Sequence, residues 1–199
     1  MPETGLQQAK SHRARKAICT ATIDLLVELG YAETSLNRVA AQAGFSKGAL
    51  QHHFPNKEDL IAATVDELLA RAFKPQRTKP GSVDQVLTGF WTRFVNTPAY
   101  RALMEILSAA RTDKDLQKRL SAELFEWGKK MDEQSVQNFV AVSGDDDETI
   151  MLLNMTRSFM RGLLSQERYG VTAEQTSQYV KKWVELISPL LELKTHHSE

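Results

Sequence analysis

The stretch YAETSLNRVAAQAGFSKGALQHHFPNKEDL, Tyr31 to Leu60, decides the local architecture. Thr34 and Ser35 each put a side-chain oxygen where it can accept from the first free amides of a helix. Leu36, Val39 and Ala40 follow at helical spacing and give that helix an apolar side. Gly44 stops it, because glycine takes the left-handed backbone of a helix end at little cost. Ser46 then caps a second short helix, from Lys47 to about His53. Two short helices around a glycine-containing turn make a helix-turn-helix unit. The second helix of such a unit lies in the major groove of DNA.

Outward from this stretch almost every segment reads as helix. Ala14, Ile18, Ala21, Leu25 and Leu29 stripe a first helix over about Ser11–Leu29, with Gly30 at its end. Asn56 caps a fourth helix that runs to about Phe73. Residues 74–81, Lys-Pro-Gln-Arg-Thr-Lys-Pro-Gly, cannot continue it and mark a boundary. Ser82 with Gln85, and Thr172 with Gln175, have the spacing of capping boxes that open a fifth and a ninth helix. Thr97-Pro98 opens a sixth. A long seventh runs from Thr112–Asp115 to about Val142, and an eighth covers about Glu148–Tyr169. Pro189 ends or kinks the ninth. No strand with a two-residue period is visible. The expected fold is all-α, with about nine helices.

The run Thr34-Ser35-Leu36, Val39-Ala40, Ala43-Gly44-Phe45-Ser46-Lys47-Gly48, Leu50, His53-Phe54 and Asn56-Lys57-Glu58-Asp59-Leu60 resembles the TetR family of bacterial transcriptional repressors. The likeness covers about residues 12–60. It departs at Gln51, where the family usually has a tyrosine that packs against the DNA backbone. The resemblance implies a three-helix DNA-binding head, placed at residues 1–56, and an effector-binding and dimerisation body, placed at 57–199. It also implies double-stranded operator DNA, a small-molecule effector and a second copy of the chain as partners, with no membrane involved.

The candidate DNA face follows from position. Lys47 and Gly48 start the reading helix, and glycine lets the backbone approach a phosphate or base edge. Asn37 and Gln51 carry amides that can pair with bases. Thr34 and Ser35 sit at a helix N-terminus, which favours phosphate. His53 and Lys57 are phosphate contacts by resemblance, and Ala49 and His52 complete the set. The bland alternative is a solvated polar face. Net charge is zero, yet residues 1–57 hold seven basic and four acidic side chains, and the remainder 18 and 21. The basic excess thus coincides with the motif.

The body is rich in large adaptable side chains. Trp91, Phe94, Met104, Trp127, Met155 and Phe159 are candidate effector contacts, with Asn154 and Arg157 as polar groups. Such stripes equally describe ordinary core, and an effector cavity among helices 5 to 8 is what the resemblance adds. Helices 8 and 9 are the expected dimer interface, through Leu163, Val180, Trp183 and Ile187.

Other chemistry has little support. His12, His52 and His53 lack ligand spacing, so no metal or cofactor is expected. The acidic run Asp145–Glu148 suits a helix N-terminus better than a calcium loop. No glycine-rich phosphate loop or nucleophile signature suggests an enzyme. Cys19 lies among small apolar residues and cannot form an intramolecular disulfide; with no signal peptide or membrane span, a cytoplasmic protein is expected. Two rivals remain: a constitutive dimeric DNA binder without an effector, and a helical binding protein or enzyme whose motif is incidental.

Overall fold

The computed structural model describes residues 3–73 and 81–194. The segment 74–80, expected as a boundary, and the His196–His197 tail lie outside them. Among the described residues are nine α-helices: α1 Glu3–Glu33, α2 Leu36–Ala43, α3 Lys47–His53, α4 Lys57–Ala70, α5 Val83–Phe90, α6 Pro98–Ala110, α7 Lys114–Asn138, α8 Asp146–Gln166 and α9 Ala173–Ile187. Two strands, β1 Phe139–Ala141 and β2 Leu191–Leu193, form an antiparallel pair with Val140 opposite Glu192.

The chain separates into two compact units, Met1–Phe73 with Pro98–Leu124, and Lys74–Thr97 with Phe125–Glu199. This packing division does not fall at residue 56. Leu60 of α4 is buried in one cluster with Ile18, Leu25, Val39, Leu50 and Phe54. The head therefore has no finished core without the helix that follows it.

In the first unit the motif is closed by its turn. Ser35 Oγ accepts from the Arg38 amide and Ser46 Oγ from the Ala49 amide. Gly44 has φ +73°, its N–H donates to the Ala41 carbonyl, and the Phe45 N–H donates to Ala40. These two bonds make a Schellman ending. Phe45 packs on the cluster beside Leu36 and Ala43. Helix α1 begins eight residues earlier than expected, since Gln7, Gln8, Ala9 and Lys10 are good helix formers and nothing stops the chain there. At its far end Gly30 has φ +78°, and Tyr31–Glu33 add a further turn.

The second unit holds α5, a π-helical turn over Trp91–Val95, α8, α9 and the strand pair. The capping box of α9 is complete: Thr172 Oγ1 accepts from the Gln175 amide, and Gln175 returns the bond to the Thr172 amide. That of α5 is not. Gln85 Oε1 accepts from the Gly81 amide, and Ser82 makes no side-chain cap bond. Asp145 Oδ1 accepts from the Asp147 amide, so the acidic run does serve the N-terminus of α8. Helix α7 stops at Asn138, four residues short of its expected end, because Phe139–Ala141 pair with Leu191–Leu193 instead. Three-residue strands are too short to show an alternation, and their pairing is set by contact across fifty residues of chain.

Two substitutions separate backbone strain from packing. A Cβ at Gly44 or at Gly48 would meet nothing within 4 Å, but only Gly44 has positive φ. Gly44→Ala should cost about 1–2 kcal/mol from backbone strain alone. Gly48→Ala, inside a helix, should be neutral or stabilising by up to ~1 kcal/mol. Urea denaturation of both variants would check the difference in sign.

Candidate nucleic-acid interface

The reading helix α3 is seven residues long, too short to be stable alone. It is held from beneath and from its end. Leu50 and Phe54 are fully buried in the head cluster. The Arg15 guanidinium lies 4.3 Å above the Phe54 ring and donates to the His53 carbonyl at 2.8 Å. A cation on the last carbonyls of a helix is also favoured by the helix dipole. With one side anchored, the other side is left to solvent: Lys47, Gly48, Ala49, Gln51 and His52 are all exposed. Asn37 and Ser35 are exposed on α2 and its cap.

Three expected contacts are placed differently. Thr34 is buried, and its hydroxyl donates to the Gly30 carbonyl at 2.8 Å. It fastens the end of α1 and does not face a phosphate. Lys57 is half-buried; its ammonium donates to the Tyr31 carbonyl at 2.8 Å and sits 4.0 Å above the Tyr31 ring. Burial lowers its pKa from the ordinary lysine value. Its motif position gave no sign of this, because the partner carbonyl lies 26 residues away. Beneath it, burial and then the Asp113 and Glu58 carboxylates push the Tyr31 phenol up to about 12. His53 is half-buried, and burial, His52 and Arg15 lower its pKa. The shift disfavours its charged form.

The electrostatics of the face are sharper than the net charge of zero. Residues 4–23 and 34–57 contain no Asp or Glu, and hold Lys10, Arg13, Arg15, Lys16, Arg38, Lys47 and Lys57. The acids of the head, Glu3, Asp24, Glu28 and Glu33, all fall outside those two segments. Glu33 is paired with Arg38 at 2.9 Å. Exposed basic groups on segments without carboxylates attract phosphate over several ångströms. Sequence reasoning counted the balance but missed that α1 belongs to this face.

At the other end of the head, Arg119 of α7 bonds Asp59 of α4 at 3.2 Å and also pairs with Glu123. No group of three or more His, Cys, Asp or Glu side chains that could hold a metal occurs among the described residues. Cys19 is buried, and burial raises its thiol pKa, so its environment matches the inert reading.

The expected effector contacts divide between the two units. Met104 lies in the first, the other five in the second. Trp91 and Phe94 are buried in the π-helical turn. Trp127 is half-buried on α7. Met155 is half-exposed on α8, and Phe159 stacks on Trp183 at 4.5 Å between ring centroids. Asn154 and Arg157 are taken up by α7: both donate to Asp132 Oδ1, at 3.1 and 3.0 Å, and Arg157 also donates to Ser135.

The expected dimer residues are mostly interior to a single chain. Val180 and Ile187 lie, with Thr176 and Val184, on the buried side of α9, and Leu163 is buried on α8. Trp183 is half-buried and its indole N–H donates to Thr156 at 3.1 Å. The helices were chosen from apolar spacing, and a second apolar row escaped notice. Met151 and Met155 on α8 are exposed, as are Tyr179, Leu186 and Leu190 on or just after α9.

The signature of bacterial regulatory proteins of the tetR family matches residues 18–64, from the buried middle of α1 through α3 into α4. Over 131 residues the chain is 31% identical to an uncharacterised HTH-type transcriptional regulator of Mycobacterium tuberculosis, across 63% of this chain and 67% of that one. In fold it resembles a TetR-family regulator from Rhodococcus sp., with a TM-score of 0.65 at 18% identity over 88% of this chain and 99% of that one. It also resembles a regulator from Saccharomonospora viridis solved in complex with choline, with a TM-score of 0.64 at 16% identity over 91% and 99%. The anchored reading helix and the matched span meet on the same residues, and with the Mycobacterium tuberculosis relative they make this chain a member of the TetR family of DNA-binding transcriptional regulators.

Proposed function

We propose that the protein is a homodimeric repressor that leaves its operator when a small hydrophobic or aromatic molecule binds its body. The observation that carries the DNA half is the exposed row on α3, braced by Leu50 and Phe54 and free of carboxylates. In this reading Asn37 and Gln51 read base edges, while Lys47, Ser35 and the amides at the start of α2 and α3 hold phosphates. Gln51 stands where the family has an aromatic, so it adds a base contact at the expense of packing on the backbone. No described helix is long and apolar enough to cross a membrane, which suits a regulator working on chromosomal DNA in the cytoplasm.

The dimer reading moves to the outer faces of α8 and α9. Met151, Met155 and Phe159 are spaced by four on α8; Tyr179, Trp183, Leu186 and Leu190 are spaced by three or four along α9 and its end. The Phe159–Trp183 stack joins the two rows into one apolar surface. A second copy applying the same surface would bury both in a two-fold contact. A fold neighbour was solved in complex with choline. In this chain Trp91, Phe94 and Trp127 are the aromatic groups left for a ligand once Met155 and Phe159 are given to the dimer.

Three outcomes are expected. Selection of operator fragments by wild-type protein should give a two-fold consensus. Asn37→Ala and Gln51→Ala should each cost about 1–3 kcal/mol on the best fragment and relax one base pair per half-site; an unchanged consensus in both variants would remove them from base reading.

The two sides of α9 give opposite results. Leu186→Glu should yield folded monomers with weakened operator binding, since only the dimer surface is charged. Ile187→Glu should lose stability by several kcal/mol, because it buries a charge inside the chain. Sedimentation together with thermal melting separates the two, and a dimeric Leu186→Glu protein would move the interface elsewhere.

Release requires a ligand that prefers the body shape that does not fit DNA. A tenfold loss of operator affinity needs about 1.4 kcal/mol of preference, and operator must weaken ligand binding by the same factor. Calorimetry with a ligand found by thermal shift, with and without operator, checks this reciprocity. Equal affinities would leave a constitutive DNA binder.

A further inference from the structure

Helix α1 is longer than a three-helix head requires, and its first turns make a second polar surface beside the reading helix. Gln7, Gln8, Lys10, Ser11 and Ala14 lie on one side of α1 at spacings of one, three, four and seven. With His52 and His53 at the end of α3 they line a cleft of about 460 Å³. All five α1 residues except half-buried Ala14 are exposed. From the geometry we infer that this cleft is a distinct DNA-contact site, which holds the sugar–phosphate strand flanking the base pairs under α3. The inference rests on the DNA-binding reading and extends it to residues outside the helix-turn-helix.

Three features select this occupant. The cleft is continuous with the reading helix, because His52 and His53 end α3 and form one of its walls. Its chemistry is that of a phosphodiester site: Lys10 supplies charge, the Gln7, Gln8 and Ser11 side chains supply neutral donors, and no carboxylate occurs in residues 4–23 or 34–57 to repel the strand. Its shape is rigidly held, since Arg15 ties α1 to α3 through the His53 carbonyl and the Phe54 ring. Ala14 is the one apolar side chain among those lining the cleft, and the others carry polar or basic ends on aliphatic stems. The contact would be sequence-independent, adding affinity and fixing the angle at which α3 enters the groove.

The test uses the full-length protein and an operator fragment it has selected. Lys10→Ala should weaken binding to all sequences alike and make the log–log salt slope shallower by about one unit. Lys118→Ala, which removes an exposed basic residue of α7 outside the cleft, should leave the slope unchanged. Hydroxyl-radical footprinting should show protection outside the base pairs read by α3, lost in a Gln7→Ala/Gln8→Ala/Lys10→Ala variant while central protection persists. An unchanged slope and footprint in the cleft variants would overturn the site. So would an equal slope change from Lys118→Ala, which would mean general charge alone. A wild-type chain that selects no operator would overturn the DNA reading and this inference together.

Discussion

Seven residues of helix cannot hold their own direction, and the aim of α3 depends on the side chains beneath it. Leu50 and Phe54 reach into the cluster shared by α1, α2 and α4, and Arg15 closes the top by stacking on Phe54 and taking the His53 carbonyl. Nucleation of so short a helix is unfavourable, so tertiary contacts supply nearly all of its stability. The Schellman turn at Gly44 sets the angle at which the chain enters α3, and Phe45 secures that turn in the same core. Reading DNA is therefore a property of the whole head, α4 included.

Charge follows the same logic. A chain with 25 basic and 25 acidic residues has no overall attraction to DNA. It gains a local one because two segments without carboxylates are folded against each other at α1 and α3. Lys57 shows that a basic residue in the right segment can be engaged within the chain: it fastens α4 to the end of α1 at Tyr31 and is partly desolvated.

In the second unit α8 and α9 carry apolar residues on two faces. The inner side of α9, Thr176, Val180, Val184 and Ile187, completes the chain's own core. The outer side, with Tyr179, Leu186 and the Trp183 that stacks on Phe159, exposes more apolar surface than a surface helix usually shows. Both faces are apolar at helical spacing, so the spacing alone does not say which one the chain buries.

Local signals determined much of this protein. The caps at Ser35, Ser46, Asn56 and Thr172 were legible because each is a side chain bonding an amide three residues away. The glycine ends at Gly44 and Gly170 and the order of helices follow from the same short-range chemistry. So did the identity of the reading helix. Tertiary structure alone decided what depends on distant partners: the strand pair of Phe139–Ala141 with Leu191–Leu193, the turning of Thr34 and Lys57 inward, and the side of α9 that faces solvent. A sequence gives the spacing of apolar residues along a helix, but which face is buried is set by what the rest of the chain brings against it.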